Sequence, residues 1–271
     1  MGHLTAEVVV VDNDSADGTA RIVAARRDAR LVRAQNLGYA AGINRGVRAA
    51  SGAAVILILN PDIRLAPGSV PPLLRALQTP GTGIAVPQIR SPDGLLQFSL
   101  RHEPSLLRAL GLGRWASGRF SEYVCHRPAY AARGTADWAL GAVLMMSRAC
   151  YAAIGGWDES YFLYSEETDA CLRARDIGWL TRYEPAAVAV HIGGQSGRSH
   201  DTHVMQIINR IRLYRRRHRA AASWAYLALI LAGQFFWLAR GRPECRSAIT
   251  AILRPASRPA QLGCGQQMMP R

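Results

Sequence analysis

Seven apolar residues, Ala53 to Leu59 (AAVILIL), run without a polar interruption and stop at Asn60-Pro61-Asp62. A strand with one wet face alternates apolar and polar residues. A strand with no alternation must be covered on both faces, as in the parallel sheet of an α/β protein. Asn, Pro and Asp each favour turns for backbone reasons of their own, so the tripeptide by itself reads as a turn. Its position at the carboxyl end of a buried strand gives it a second meaning. In open α/β sheets, ligands bind outside the carboxyl ends of the strands.

The surrounding rhythm supports an α/β fold. Glu7 to Val11 reads as a buried strand entering the acidic turn Asp12-Asn13-Asp14. A short helical segment follows, then a strand at Ala29–Ala34. A helix opens from the polar loop around Asn36 and closes near Gly52. Strands alternating with helices point to βαβ units. Farther on, GIAVPQI and LLQFSL flank the turn RSPDG, ADWALGAVLMMS reads as an apolar strand, and AAVAVH as the last one. Residues 101–133 show no period and read as a variable, partly mobile insertion.

At 271 residues the chain suffices for one large α/β domain or two small ones. Its 49% hydrophobic content supports a substantial core. Net charge is +14 and every basic residue is Arg. That balance predicts polyanionic company: nucleic acid, anionic lipid or phosphorylated substrates. Nucleic acid is the poorest of the three, because the Arg clusters lack aromatic interleaving and any recognisable binding module. The five Cys are scattered with no CxxC pair, which argues against a disulfide framework or a zinc site. Met1 to Glu7 is too short and polar to read as a signal peptide.

The tail changes character. Arg210 to Arg219 holds six Arg in ten residues, and Ala220 to Ala239 then runs twenty residues without a charge. That length just spans a bilayer, but both flanks are basic, so no charge asymmetry sets an orientation. Three readings stand: an interfacial helix or hairpin, a span, or a packing helix. The Arg cluster suits anionic lipid at about 1 kcal/mol per residue.

Three strand ends carry small polar or acidic residues on one rim: Asp12 and Asn13; Asn36, Gly38 and Asn44; Asn60 and Asp62. Gly38, Gly42 and Gly46 recur every four residues, which either packs a helix closely against a sheet or opens a ligand loop. The dinucleotide fingerprint GxGxxG is absent. Ser165-Glu166-Glu167-Thr168-Asp169 places three acids in the first turn of a helix predicted from Ser165 to Ile177. Helix-dipole complementarity is worth about 0.3–1 kcal/mol per acid. Three acids within four residues also repel one another, and such crowding raises carboxyl pKa values, which suits a general base. His191 follows a strand and precedes the small-residue loop IGGQSG.

Taken together, VVVDNDSADGT, NLGYAAGINRG, LILNPD, GAVLMMSR, GGWDESYFLYSEETDACLRARDIGW and HIGGQS resemble, in order, the family 2 glycosyltransferases of the rhamnosyltransferase-like branch, over about Glu7 to Ser196. The resemblance implies a GT-A fold: a mostly parallel mixed sheet flanked by helices over residues 1–205, followed by a basic and apolar helical tail over 206–271. It implies an inverting transfer from a dTDP- or UDP-linked sugar, rhamnose or another deoxyhexose, to a glycan or polyprenyl-diphosphate-linked acceptor. The setting would be the cytoplasmic face of the inner membrane, against an anionic surface.

By the same resemblance, Asp62 would bind Mg²⁺ or Mn²⁺ on the donor diphosphate and His191 would complete the metal site. Asp12 and Asn13 would recognise base and ribose, with Asn36, Gly38, Asn44 and Asn60 lining the donor site. Glu167 stands where the family usually has an Asp base, one methylene longer, so Glu166 is an alternative base and Asp169 a neighbour. The family's opening strand-helix unit has no counterpart ahead of Val8. A truncated, non-catalytic binder of nucleotide sugar or of a partner is therefore the competing reading.

Overall fold

The computed structural model of the chain describes residues 5–50, 52–114, 118–193 and 199–262. Its strands and helices follow in the order β1 (Val9–Asn13), α1 (Thr19–Ala24), β2 (Arg30–Ala34), α2 (Tyr39–Ala49), β3 (Val55–Leu59), β4 (Ile63–Leu65), α3 (Val70–Leu77), β5 (Thr82–Arg90), β6 (Leu96–Gln97), β7 (Leu100–Arg101) and α4 (Leu106–Ala109). Then come β8 (Gly134–Ala136), β9 (Trp138–Ala139), β10 (Val143–Ser147), α5 (Arg148–Ala153), α6 (Glu166–Asp176), β11 (Leu180–His191), α7 (His200–Arg217), α8 (Ala220–Ala239) and α9 (Glu244–Leu253).

Among the described residues a seven-stranded mixed sheet runs β3-β10-β5-β11-β4, with β6 added on β5 and β8 on β11. The expected two-sided burial of β3 is met. Ile56 and Ile58 pack into one core with Leu144, Met146, Ile84 and Val86. Val55 and Leu57 face the opposite side, with Met145, Ala85 and the α3 residues Leu73 and Ala76. The two-residue alternation thus divides each strand between two cores. Helices α2 and α6 cover the first face, through Ala40, Ala170, Cys171 and Ala174.

Strand direction differs from the expectation. β3 pairs antiparallel with β10. In this sheet the parallel pairing is β5 with β11. An apolar run without alternation reports cover on both faces, not the sense of the neighbouring strand. β1 and β2 pair in parallel as a separate two-stranded sheet. Among the described residues β1 and β3 each keep one unpaired edge, and Val8 and Leu59 beside them are exposed.

The described residues of the 101–133 segment include several built firmly into the fold. Arg101 and Tyr130 are buried, and the Tyr130 hydroxyl accepts from the backbone N–H of Leu100 at 2.9 Å. Its ring packs at 5.4 Å from that of Tyr183. The boundary expected at residue 205 falls inside α7. Helices α7, α8 and α9 share a core of Ile208, Ile211, Tyr226, Ile230, Ala248 and Ile252. Phe162, Leu163 and Tyr164, from the turn before α6, pack against that core.

Candidate active site

Asn60-Pro61-Asp62 fills the turn between β3 and β4. The backbone N–H of Asn60 donates to Ala142 O at 2.8 Å, and Asp62 O accepts from the N–H of Ile192. Those bonds lock the turn to the entry of β10 and the end of β11. Antiparallel pairing of β4 with β11 sets His191 opposite Ile63. His191 Nε2 then stands 3.1 Å from Asp62 Oδ2, and its Nδ1 lies 3.3 Å from Gln97 Oε1.

Gln97 Oε1 and Asp62 Oδ2 both only accept, so a single imidazole proton serves one of them and leaves a lone pair facing the other. Two lone pairs at that distance repel unless a cation, proton or metal, lies with them. Asp62 Oδ1 and Asn60 Oδ1 are also buried and without hydrogen-bond partners. Buried polar oxygens left unpaired mark an unmet partner. Two neighbouring ligands of an octahedral cation at ~2.1 Å lie about 3.0 Å apart, so this pair fits a small divalent ion. Among the described residues no group of three or more His, Cys, Asp or Glu could hold a metal. The other ligands would come from a bound diphosphate and water, as is usual for Mg²⁺.

The acids of α6 arrive through strained backbone. Tyr164 and Ser165 both have positive φ, 68° and 74°, a conformation that costs non-glycine residues of order 1–3 kcal/mol each. Helix α7 braces the turn. Asn209 Nδ2 donates to Leu163 O at 2.8 Å, and Arg212 donates to Ser160 O at 3.1 Å. Beyond the turn, Glu166 and Glu167 each hold one oxygen, Oε2, sealed from solvent and unpaired. Burial raises both carboxyl pKa values. The Glu167 charge raises Glu166 further, whereas backbone N–H groups and Arg101 pull Glu167 back down. The pair therefore holds a proton above the usual carboxylate range, burial being the main cause.

Asp169 forms an ion pair within α6. Its Oδ2 accepts from Arg173 Nε at 2.6 Å, and the other Arg173 nitrogens donate to Ile154 O and Gly156 O. Arg173, held by Asp169, ties α6 to the loop after α5.

Tyr39, at the start of α2, connects the two halves. Its hydroxyl donates to Gly141 O at 2.9 Å. A side chain at Gly141 would meet Glu167 Cβ at 2.9 Å, and the next residue, Ala142, accepts from Asn60. One tripeptide, Leu140-Gly141-Ala142, thus touches the Asp62 turn on one side and Glu167 on the other. Burial first, then the charges of Glu166, Glu167 and Asp62, push the Tyr39 hydroxyl pKa up.

The donor-side expectations divide. Asp12 is buried, with Oδ1 accepting from Ser15 N–H, and Asn13 Oδ1 is buried and unpaired. Gly42 is fixed by packing, since a Cβ there would sit 2.8 Å from Asn13 Nδ2, and Gly46 meets Val11. Asn36 Oδ1 accepts from Gly38 N–H and shapes the turn into α2. Gly38 has φ +98° and lies against Phe162. Asn44 is corrected: its amide binds the Trp157 backbone twice, Glu159 and the Tyr151 hydroxyl, which leaves nothing for a ligand. Residues 194–196 of the HIGGQS loop lie outside the described residues.

Sequence reasoning missed Tyr39, Gln97 and Gly141. Tyr39 and Gly141 stand inside quoted motifs, where an aromatic at a helix start and a glycine before a strand were available signals. Gln97 gives no signal, because the pairing of β6 with β5 creates its role.

A mixed sheet sandwiched by helices, with an acid–histidine pair at one strand end and buried glutamates at a facing helix start, defines a GT-A transferase fold. Solved structures agree on the fold. A mannosyltransferase from Pyrobaculum calidifontis, in complex with GDP-Man and Mn²⁺, superposes with TM-score 0.52 at 16% identity over 92% of this chain and 72% of that one. The TarS protein of S. aureus, residues 1–349 with UDP-GlcNAc, gives 0.53 at 14% identity over 94% and 73%. The model of "Glycosyl transferase family 2" matches residues 2–131. An N-acetylglucosaminyl-diphospho-decaprenol L-rhamnosyltransferase of Mycobacterium tuberculosis is 32% identical over 215 residues, 73% of this chain and 70% of that protein. The chain belongs to glycosyltransferase family 2.

Proposed function

We propose that the chain is an inverting transferase that moves rhamnose, or a closely related deoxyhexose, from a dTDP- or UDP-linked donor to a glycan carried on polyprenyl diphosphate. The product would serve cell-wall or surface polysaccharide synthesis at the cytoplasmic face of the membrane. The M. tuberculosis relative's name supports the sugar and the lipid-linked acceptor. The observation that carries the chemistry is the 140–142 segment, which holds Asp62 with His191 and Glu167 on its two sides.

Inverting transfer needs a base and a leaving-group site on opposite sides of the anomeric carbon, and the two acidic groups come from different segments. Glu167 accepts the acceptor hydroxyl's proton as that oxygen bonds the anomeric carbon. The bond from that carbon to the diphosphate oxygen breaks, and its electron pair leaves with the nucleotide. Asp62 and His191 would hold Mg²⁺ or Mn²⁺, which neutralises charge on the departing diphosphate. In this reading Glu166 carries the pair's remaining proton and orients without competing for the acceptor's. Asp12 and Asn13 bind the nucleoside end, and Asn60 the diphosphate side.

A non-catalytic nucleotide-sugar binder is the competing reading, favoured by the open edges of β1 and β3 beside Asp12 and Asn60. Nucleotide release decides between them. Purified chain is given dTDP-rhamnose or UDP-rhamnose, Mg²⁺ or Mn²⁺, and a short-chain polyprenyl-diphosphate N-acetylglucosamine. Acceptor-dependent nucleotide release with a new glycosidic product supports the transferase. Donor binding without release supports the binder.

A further inference from the structure

Helix α8 shows solvent an apolar stripe. Trp224, Ala228, Ala232, Phe235, Phe236 and Ala239 are exposed and recur every three or four residues. Large rings stand toward its two ends, with small alanines between them. Trp224, Phe235 and Phe236 keep 53%, 50% and 51% of their surface exposed. The stripe runs for about 22 Å at 1.5 Å per residue. Exposed apolar patches of this kind mark interaction sites.

The other face of α8 is held in the protein. Ser223, Tyr226, Ile230 and Gln234 are buried. Tyr226 stacks on Tyr214 with centroids 3.8 Å apart and accepts from Arg210 Nε at 2.7 Å. Gln234 Oε1 accepts from His203 Nε2 at 2.9 Å. A helix so bonded along one face is not surrounded by lipid.

The arginines divide into two sets. Arg210, Arg212, Arg216 and Arg217 are each engaged by groups of the fold, with Glu122, Ser160, Asp158, and Glu103 together with Asp176, although Arg216 stays exposed. Their guanidinium groups are thus partly spent on the fold's own acids and carbonyls. The second set, Arg219, Arg240 and Arg242, is exposed at the two ends of the stripe. Arg240 lies over the Phe236 ring at 4.4 Å and Arg242 over Trp237 at 4.5 Å. No acid occurs from residue 202 to 243.

We infer that α8 lies flat in the headgroup region of an anionic bilayer, with the stripe buried and these three arginines among the lipid phosphates. A second copy of the chain fits this face poorly. Parallel or antiparallel pairing along the stripe sets arginine against arginine at both ends, whereas anionic lipid neutralises them. The placement also deepens the acceptor reading and rests on it to that extent. α8 packs on α7, and α7 braces the turn that delivers Glu166 and Glu167, so a docked α8 brings the site within one helix layer of a lipid-anchored glycan.

The test is sedimentation of the full chain with phosphatidylcholine vesicles, with and without phosphatidylglycerol, at low and high salt. The partners are F235S/F236S and R240Q/R242Q, each checked by circular dichroism. Nucleotide release on a soluble acceptor analogue is followed in parallel, so loss of docking and loss of catalysis are read separately. Binding that requires phosphatidylglycerol, weakens with salt and drops about tenfold in each double variant is the expected result. Three outcomes would overturn it: no binding at low salt, binding indifferent to both variants, or a wild-type dimer that F235S/F236S converts to monomer. Resistance of the membrane-bound chain to alkaline carbonate would replace flat docking with a span.

Discussion

His191 Nε2 and Asp62 Oδ2 stand 3.1 Å apart although 129 residues separate them. The β4–β11 pairing sets the distance, and Gln97 Oε1, 3.3 Å from Nδ1, orients the other side of the imidazole ring. Gln97→Leu should therefore weaken Mn²⁺-dependent donor binding about 10- to 100-fold, the usual effect of losing such an orienting partner. Titration calorimetry of nucleotide with and without Mn²⁺ measures it. An unchanged metal dependence removes Gln97 from the account.

The glutamate pair predicts opposite effects from neighbouring substitutions. Glu167→Gln should lower kcat by about 10²–10⁴-fold. Glu166→Gln should retain much more activity, because a protonated Glu166 and a glutamine are both neutral.

Stability gives the same pair a pH signature. Both folded carboxyl pKa values are raised by burial, so their contribution is fully present at low pH and is lost as pH rises through the raised values. Glu166→Gln should then raise Tm near pH 8 and change it less near pH 4. Activity should rise with pH through the Glu167 titration, above the usual carboxylate range, and lose that limb in Glu167→Gln. Thermal melts and pH–rate profiles check both.

Tyr39→Phe removes one hydrogen bond and leaves Gly141 O short of a donor, at a cost of about 1–3 kcal/mol. Because Gly141 abuts Glu167, part of that loss should appear in kcat beyond any change in donor KM. A variant that loses only Tm, with kcat intact, makes Tyr39 purely structural.

Gly38→Ala places a Cβ 2.3 Å from Phe162 O at φ +98°. Loss of more than about 2 kcal/mol of stability is expected, with disturbance of the turn before α6. Denaturant unfolding measures it, and a neutral result contradicts the close approach of α2 to that turn.

What the sequence disclosed was local. Helix α6 was placed within a residue at each end, because Ser165 and the acids mark its start and Gly178 lies just past its end. Asp62 stood out because a buried strand ended there. Distant partners stayed hidden. Asn44 reads as a rim residue until Trp157, 113 residues on, takes its amide. The Arg210–Arg217 run reads as a lipid patch until its acids appear: Glu122 lies 88 residues from Arg210, and Glu103 lies 114 from Arg217. Charge counted along a chain carries no record of what the fold will place against it. The direction of β3 was hidden for a related reason, since its antiparallel partner β10 begins more than eighty residues later.

The central claim is that one site divides its labour between a metal-binding turn at Asp62 and a base at Glu167. Donor binding and acceptor-dependent nucleotide release should be measured side by side, with Mg²⁺ or Mn²⁺, for the chain, Asp62→Ala and Glu167→Gln. The account predicts that Asp62→Ala loses metal-dependent donor binding and turnover together, while Glu167→Gln binds donor normally and releases almost no nucleotide. Full turnover by Glu167→Gln, or metal-dependent binding undiminished in Asp62→Ala, would contradict it.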